Sequence, residues 1–153
     1  MRIIKLGLIS FVFIFGIITL ISLLFPSHIR LSKATNLPNE RSRIFTLLKN
    51  EAAWHPAFSD SASALKKDLL QRKVIQENDP TLVTELKQEG RKPVISGLQL
   101  YGGPTSDSLT LQWYMDFQLS WYPWQKFSSL FYEQTYGVMM ERGLANFKKQ
   151  LIK

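Results

Sequence analysis

The segment LTLQWYMDFQL, residues 109–119, decides the fold because its side chains alternate between apolar and mostly polar. Successive side chains of a β-strand point to opposite faces, so this period of two predicts a strand with one buried face. The buried face would carry Trp113, Met115 and Phe117, and Asp116 would lie on the opposite face. We therefore expect a sheet that is covered on one side only.

The C-terminal part of the chain has the helical period that such a cover requires. Apolar residues share one helix face at Phe127 and Phe131 and another at Met140 and Phe147, while Gly137 marks a break between the two pieces. No other segment of the domain is predicted to form a helix of that length. We expect the C-terminal helix to pack face to face on the sheet.

Four segments upstream are also predicted to be strands, which makes five in all. They are residues 28–35, 73–77, 81–87 and 93–101. Short turns rich in Asn, Asp, Pro or Gly separate the later ones and favour antiparallel pairing. The chain therefore belongs to the α+β class, with an antiparallel sheet and a long C-terminal helix.

Helices are predicted between the first two strands. Residues 44–48 carry apolar side chains at helical spacing, with Asn36 or Asn39 as a candidate N-cap and Asn50 as a terminator. Proline forces the residue before it out of helical geometry. The remaining predictions here are a short helix ending at Trp54-His55-Pro56, a loop over 59–64 and a helical turn over 65–70.

The N-terminal segment is predicted to cross a membrane once. Residues 6–25 carry no charge and are mostly Leu, Ile, Phe and Val, and their length matches a bilayer core. A cleaved signal peptide is the alternative, since Arg2 and Lys5 precede the apolar run. That run exceeds the usual h-region, and no pair of small residues follows it at cleavage-site spacing. We expect an anchor over 1–26 and a domain over 27–153.

The charge distribution and the absence of cysteine limit the kinds of partner and covalent modification expected for this chain. The net charge is +7, and only two of the 19 cations precede the domain, so most of the positive charge belongs to the domain. Its cations are scattered pairs, which favours a solvated surface beside an anionic membrane over nucleic-acid binding. Cations flank both ends of the apolar run, so charge does not decide on which side of the cell membrane the domain lies. Export of the domain is slightly favoured. Without cysteine there is no disulfide and no lipidated thiol.

The order of elements resembles the helix-grip fold of the SRPBCC superfamily, which includes START, polyketide-cyclase and birch-pollen-allergen-like domains. The first strand and helix carry the resemblance at HIRL (28–31) and NLPNER (36–41), followed by WHP (54–56). The end of the chain looks like membrane-anchored bacterial members, at LQWYMDF (111–117), WYPWQKF (121–127) and MERGLANFKK (140–149). The resemblance covers nearly the whole domain. This chain departs from the family in strand number, since five strands are predicted here and seven are usual.

Sequence signatures of catalysis are scarce. His28 and His55 are isolated, so no metal site is expected. Ser63 and Lys66 fit Ser-x-x-Lys, but the companion motifs of β-lactamase-like enzymes are missing, and there is no P-loop or nucleophile elbow. Asp116 lies on the polar strand face, where a solvent-facing or paired carboxylate is expected. No cofactor is expected either.

Aromatic residues and methionines are concentrated on the surfaces that should face each other. They either fill a core or line a cavity, and apolar stripes alone do not distinguish the two. The family resemblance implies a pocket between the sheet and the C-terminal helix for sterols, lipids, polyketides or other apolar molecules. The candidate ligand-binding residues are Trp54, Tyr101, Trp113, Met115, Phe117, Phe127, Phe131, Met139 and Met140.

Three functions follow as hypotheses. The first is a membrane-anchored domain that binds a hydrophobic small molecule or lipid without chemistry. The second is a cyclase- or dehydratase-like enzyme in which Asp116, Tyr114 or Tyr101 moves a proton. The third is a scaffold whose filled core leaves only protein binding. The expected partners are an apolar small molecule or lipid and the membrane, and no nucleic acid.

Overall fold

The computed structural model describes residues 2–56, 72–78, 81–87, 92–103 and 105–152 and shows an α+β fold. The strands are β1 (His28–Pro38), β2 (Arg72–Asn78), β3 (Thr81–Leu86), β4 (Val94–Tyr101) and β5 (Ser108–Gln118). The helices are α1 (Arg2–Leu23), α2 (Arg41–Lys49), α3 (Pro123–Ser128) and α4 (Val138–Ile152). The predicted loop over 59–64 and helical turn over 65–70 lie outside the described residues.

The described strands form one antiparallel sheet in the order β1-β5-β4-β3-β2. The strongly alternating segment is β5, which pairs with β1 on one side and β4 on the other. Its odd-numbered residues from Leu109 to Phe117 are buried, and Trp113, Met115 and Phe117 are each at most 3% exposed. The predicted strand face and the count of five strands are therefore confirmed within the described part of the chain.

Strand β1 is longer than the sequence predicted, and this overturns the predicted helix caps. Asn36 pairs with Thr110 inside the sheet, so it cannot begin a helix. Asn39 donates a hydrogen bond from Nδ2 to Ser106 O at 2.8 Å, in the turn between β4 and β5. Helix α2 begins only after Glu40, whose side chain makes no cap hydrogen bond. Pairing with β5 thus takes up Asn36, and the turn before β5 takes up the side-chain amide of Asn39. The predicted terminator Asn50 does follow α2.

Helix α4 covers one face of the sheet, which we call the inner face. Its buried residues include Met140, Leu144 and Phe147, which confirms the predicted helix face. The predicted break at Gly137 is the end of a π-helical turn, Glu133–Gly137, directly before α4. On the opposite, outer face, β5 presents half-buried Thr110, Gln112 and Tyr114.

Most side chains of helix α1 are exposed, and Ser22 near its C-terminal end is buried. It is apolar over Ile3–Leu23 and long enough to cross a bilayer, a property that a signal sequence shares. The chain enters the domain beside α3, where the Phe25 and Phe127 rings meet edge to face at 5.5 Å. The end of α1 is thus attached to one defined part of the domain.

Candidate functional site

Two tryptophans form the centre of the inner face. The Trp54 ring lies 5.5 Å from Trp113 and 5.3 Å from Phe147, both edge to face, which is a favourable geometry for aromatic pairs. Trp113 Nε1 donates to Ser96 Oγ at 2.9 Å, and Trp54 Nε1 donates to Leu47 O at 3.1 Å. Since both indole N–H groups are satisfied, the cluster is fixed in orientation as well as buried.

The methionines predicted for the site join this buried layer. Met115, Met139 and Met140 belong to the same apolar core and are 2%, 8% and 0% exposed. Met115 pairs with Ser96 on β4 and with Leu31 on β1, so it lies on an interior strand of the sheet. Thioether side chains are flexible, and a layer that contains three of them can rearrange at low cost.

Two tyrosines that the sequence did not single out also belong to this layer. The Phe117 ring lies 4.7 Å from Tyr132 and 4.8 Å from Tyr136, and the two tyrosine rings are 5.3 Å apart. The four-residue spacing of the two tyrosines was a detectable signal for one shared helix face. It was missed because polar residues separate them and the helix continues through a π-helical turn.

Three predicted site residues lie away from the buried layer. Tyr101 is 46% exposed at the end of β4, where its hydroxyl donates to Gln99 Oε1. Phe131 is 61% exposed, in the turn after α3. Phe127 is half-buried and packs on Phe25. The structure therefore brings together six of the nine candidates: Trp54, Trp113, Met115, Phe117, Met139 and Met140.

A pocket of about 160 Å³ opens on the inner face, between α2 and the β2–β3 end of the sheet. Its floor includes Leu82 and Thr84 of β3, which the sheet register places on the same face as Trp113 and Met115. Thr84 Oγ1 donates to Ser96 O at 3.2 Å. The pocket is lined by Leu48, Lys49, Glu51, Val74, Glu77, Leu82 and Thr84. None of these residues was predicted, because they converge only through long-range pairing.

The pocket has an apolar wall and a charged rim. Leu48 and Leu82 are buried, whereas Lys49 Nζ and Glu77 Oε1 form a 2.6 Å ion pair between exposed side chains. Such a rim suits the polar end of an amphipathic molecule, because an exposed ion pair is weak and easily replaced. The arrangement can hold a small apolar group and leave a polar group near water.

A second charged cluster lies on the inner face at the opposite edge of the sheet. Lys33 of β1 contacts Glu133 at 2.5 Å and Glu141 at 2.8 Å, measured from Nζ to Oε1. These hydrogen bonds, led by the one to Glu133, raise the pKa of Lys33. The cluster ties the edge strand to the π-helical turn and to α4. The alternation of residues 28–35 predicted Lys33 on the same strand face as Ile29 and Leu31. It could not predict the acidic partners, because they lie in a distant segment of the chain.

Asp116 lies on the outer face, as its strand parity predicted, and of the two expected states, solvent-facing or paired, it is paired. Its two carboxylate oxygens accept hydrogen bonds from Nε and Nη2 of Arg30, both at 2.6 Å. The guanidinium also lies 4.8 Å from the centre of the Tyr114 ring. Pairing with Asp116 raises the pKa of Arg30. Tyr114 covers Gly97, where any Cβ would meet its ring, so this part of the outer face is closed by side chains.

The histidines do not assemble a metal site in the described part of the chain. His55 is buried and its ring lies 5.1 Å from Trp113 and 5.6 Å from Trp54, so it packs in the tryptophan cluster. No group of three or more His, Cys, Asp or Glu capable of holding a metal ion occurs among the described residues. Ser63 and Lys66 lie outside them.

Comparisons with known proteins support the fold alone. No family model and no curated protein match the chain. A crystal structure of a Bacillus thuringiensis protein matches 82% of this chain and 100% of its own, with a TM-score of 0.55 and 10% identity. A solution structure of a Thermobifida fusca protein matches 80% of this chain and 92% of its own, with a TM-score of 0.54 and 17% identity.

The crystal structure of Ara h 8.0201 is a looser match, with a TM-score of 0.37 and 7% identity over 82% of this chain and 98% of that chain. The architecture itself, an antiparallel sheet held against a long C-terminal helix, is the expected helix-grip arrangement. The predicted fold class is therefore confirmed.

Proposed function

We propose that this chain is a membrane-anchored domain of the SRPBCC type that binds a hydrophobic small molecule or lipid on the inner face of the sheet, in a pocket beside α2 rather than beside the C-terminal helix. The observation that carries the proposal is the pocket between α2 and β2–β3, which opens on the same inner face as the tryptophan and methionine layer. Concave sites with apolar walls and a few polar groups are the usual form of a small-molecule site.

The size of the pocket limits what it holds without rearrangement. A volume of about 160 Å³ is below the roughly 300–1,000 Å³ of a site for a drug-sized ligand. A single ring or the end of an acyl chain is the part of a ligand that fits. A longer molecule must displace inner side chains.

The sheet register provides a path for that displacement. Val74, Thr84, Ser96 and Met115 pair in one row across β2, β3, β4 and β5. Neighbouring strands lie about 4.8 Å apart, so Met115 is roughly 10 Å from the pocket floor at Thr84. Rotation of Met115 and Met140 would lengthen the pocket along the inner face. Flexible thioethers suit such an adaptable lining.

The position of the acid and tyrosine candidates favours binding over catalysis. Asp116 and Tyr114 lie on the outer face, and Tyr101 is exposed at the end of β4. None of the three lines the pocket. A general acid or base must lie within hydrogen-bond reach of its substrate, so a ligand on the inner face is out of reach of all three.

The test is uptake of a fluorescent fatty acid by the full chain in detergent, compared between two neighbouring tryptophan substitutions. Val74 lines the pocket and is 47% exposed, whereas Ile75 is 54% exposed and is not part of the lining. Val74→Trp should abolish uptake by filling the pocket, and Ile75→Trp should preserve it. Equal uptake by both variants would place binding elsewhere, and no uptake by the unmodified chain would favour the scaffold function.

A further inference from the structure

An exposed row of aromatic rings precedes and begins α3. Trp121, Tyr122 and Trp124 are 62%, 36% and 59% exposed. Their rings are in contact: Trp121 and Tyr122 are tilted with centroids 4.8 Å apart, and Tyr122 and Trp124 are stacked with centroids 4.7 Å apart. We call these three residues the aromatic patch. The next turn adds Leu130 and Phe131, which are 56% and 61% exposed.

The aromatic patch differs from the other exposed apolar residues of the domain. Elsewhere in the described part of the domain, large exposed apolar side chains are single residues or one adjacent pair, namely Val74, Ile75, Tyr101, Val138 and Ile152. Isolated exposed apolar residues need no partner, but a contiguous group marks a contact surface. The aromatic patch therefore requires an occupant.

The position of α1 identifies that occupant. Lys126, two residues after Trp124, is only 3% exposed, and its Nζ donates to Phe25 O at 2.7 Å and to Ser27 Oγ at 2.9 Å. Phe127 packs on Phe25. Seven consecutive residues, 121–127, thus carry both the aromatic patch and the contacts that hold the chain at the end of α1.

The length of α1 places this junction at a bilayer surface. The helix has 22 residues and is about 33 Å long at 1.5 Å per residue, close to the roughly 30 Å thickness of the hydrocarbon core. If α1 spans that core, its end at Leu23 reaches the interfacial layer. Tryptophan and tyrosine are enriched in this layer because their rings combine apolar bodies with a polar group.

We propose that the aromatic patch inserts into the interfacial layer of the bilayer and seats the domain on the membrane surface beside its anchor. This inference rests on the proposed membrane anchoring and adds a second membrane contact to it. With α3 on the lipid, β1 leaves the surface at His28 and runs about 33 Å to Pro38. The domain then has a defined orientation, with α2 and the turn between β4 and β5 away from the membrane.

The test uses the full chain in phosphatidylcholine vesicles and the emission of its tryptophans. Trp54 and Trp113 are 1% and 2% exposed and serve as shielded references. Lipids brominated near the headgroup end of their acyl chains should quench part of the emission of the unmodified chain. The variant carrying Trp121→Phe and Trp124→Phe should lose that quenching while keeping aromatic rings at both positions.

A matched control places a new tryptophan far from the membrane in that double variant. Ile152 is 68% exposed at the end of α4, and its neighbour Gln150 shares a surface groove with Arg43 and Thr46 of α2. The substitution Ile152→Trp should restore emission that aqueous acrylamide quenches and brominated lipid does not.

The outcomes separate this inference from the anchoring on which it rests. Loss of the chain from the vesicles after an alkaline carbonate wash would overturn the anchoring itself. If the chain stays and only acrylamide quenches Trp121 and Trp124, these residues face water and the aromatic patch does not insert into the bilayer. If neither quencher acts on them, a protein surface such as a second copy covers the aromatic patch. That result would also overturn the proposed insertion into the bilayer. Lipid quenching of a retained chain supports the inference.

Discussion

Gly143 of α4 lies directly against the Trp113 ring of β5. A Cβ at Gly143 would come within 2.6 Å of Trp113 Cζ3 and 3.1 Å of Pro56 Cδ. The ring is held by its hydrogen bond to Ser96 and by Trp54. A single glycine therefore sets the separation of helix and sheet at this point. The buried layer therefore has no spare room beside Trp113. Space for a ligand is instead found toward β2–β3.

Replacement of Gly143 by Ala should destabilise the domain. Helix propensity favours Ala by about 1 kcal/mol, whereas overpacking against a fixed ring costs about 1–3 kcal/mol. The net expectation is a fall of up to about 2 kcal/mol in the free energy of unfolding in urea, measured on the chain truncated before Pro26. Gln150→Ala on the exposed face of α4 should change it by less than about 0.5 kcal/mol. A gain in stability for Gly143→Ala would show that Trp113 moves freely.

Replacement of Lys33 by Gln should loosen the π-helical turn. The ammonium is shared by Glu133 and Glu141, so its loss leaves two acidic side chains without their common cation. Amide hydrogen exchange over residues 133–137 should become faster. Lys49→Gln removes the exposed ion pair with Glu77 and should leave exchange in that turn unchanged. Equal exchange in both variants would mean that the cluster does not hold the turn.

The same cluster predicts a pH dependence. The pKa of Lys33 is raised above its ordinary 10.5 in the folded state. Its stabilising contribution is therefore complete below pH 10.5 and is lost as pH rises through the higher folded-state pKa. The Tm difference between the unmodified chain and Lys33→Gln should stay constant from neutral pH to near 10 and shrink above it. A difference that grows with rising pH would contradict the assignment.

The N-terminal segment should anchor the chain without being needed for folding. The full chain should stay in the membrane pellet after alkaline carbonate washing, because residues 6–25 match a bilayer span. A chain that begins at Pro26 should be soluble and folded by near-ultraviolet circular dichroism, since Lys126 still has Ser27 Oγ as a partner. An intact mass lacking the N-terminal segment in host membranes would instead indicate a cleaved signal sequence.

Replacement of Asp116 by Asn should leave ligand uptake unchanged. The carboxylate lies on the outer face with Arg30, and the nearby sheet separates it from the pocket. The amide keeps the shape of the side chain, so the fold should persist. Titration with the fluorescent fatty acid should give the same affinity as the unmodified chain. If a folded Asp116→Asn variant lost uptake, Asp116 would contribute to function, as the enzyme hypothesis requires.

The sequence predicted elements where one local period dominates. Alternation in β5 identified the buried face because a strand one residue out of register would expose Trp113. Helical spacing identified Met140 and Phe147, because only one face of α4 can be buried against the sheet. Asn36 failed as a cap because local propensity was overridden by pairing with Thr110 across the sheet.

The candidate site was predicted less completely because it depends on contacts between distant segments. Tyr101 was placed with the apolar candidates, but parity from Leu100 puts it on the outer face, at the exposed end of β4. Leu48, Val74 and Thr84 line one pocket only because β2 and β3 bring the last two beneath α2. No periodicity within one segment encodes that convergence.

The central claim is that an apolar molecule occupies the pocket on the inner face. Native mass spectrometry of the full chain, purified gently in detergent from its host, tests it most directly. The account predicts an added mass from a bound apolar ligand in the unmodified chain and in Ile75→Trp, and its loss in Val74→Trp. A chain that carries no ligand and takes up no fatty-acid probe, or a Val74→Trp variant that keeps the ligand, would contradict it.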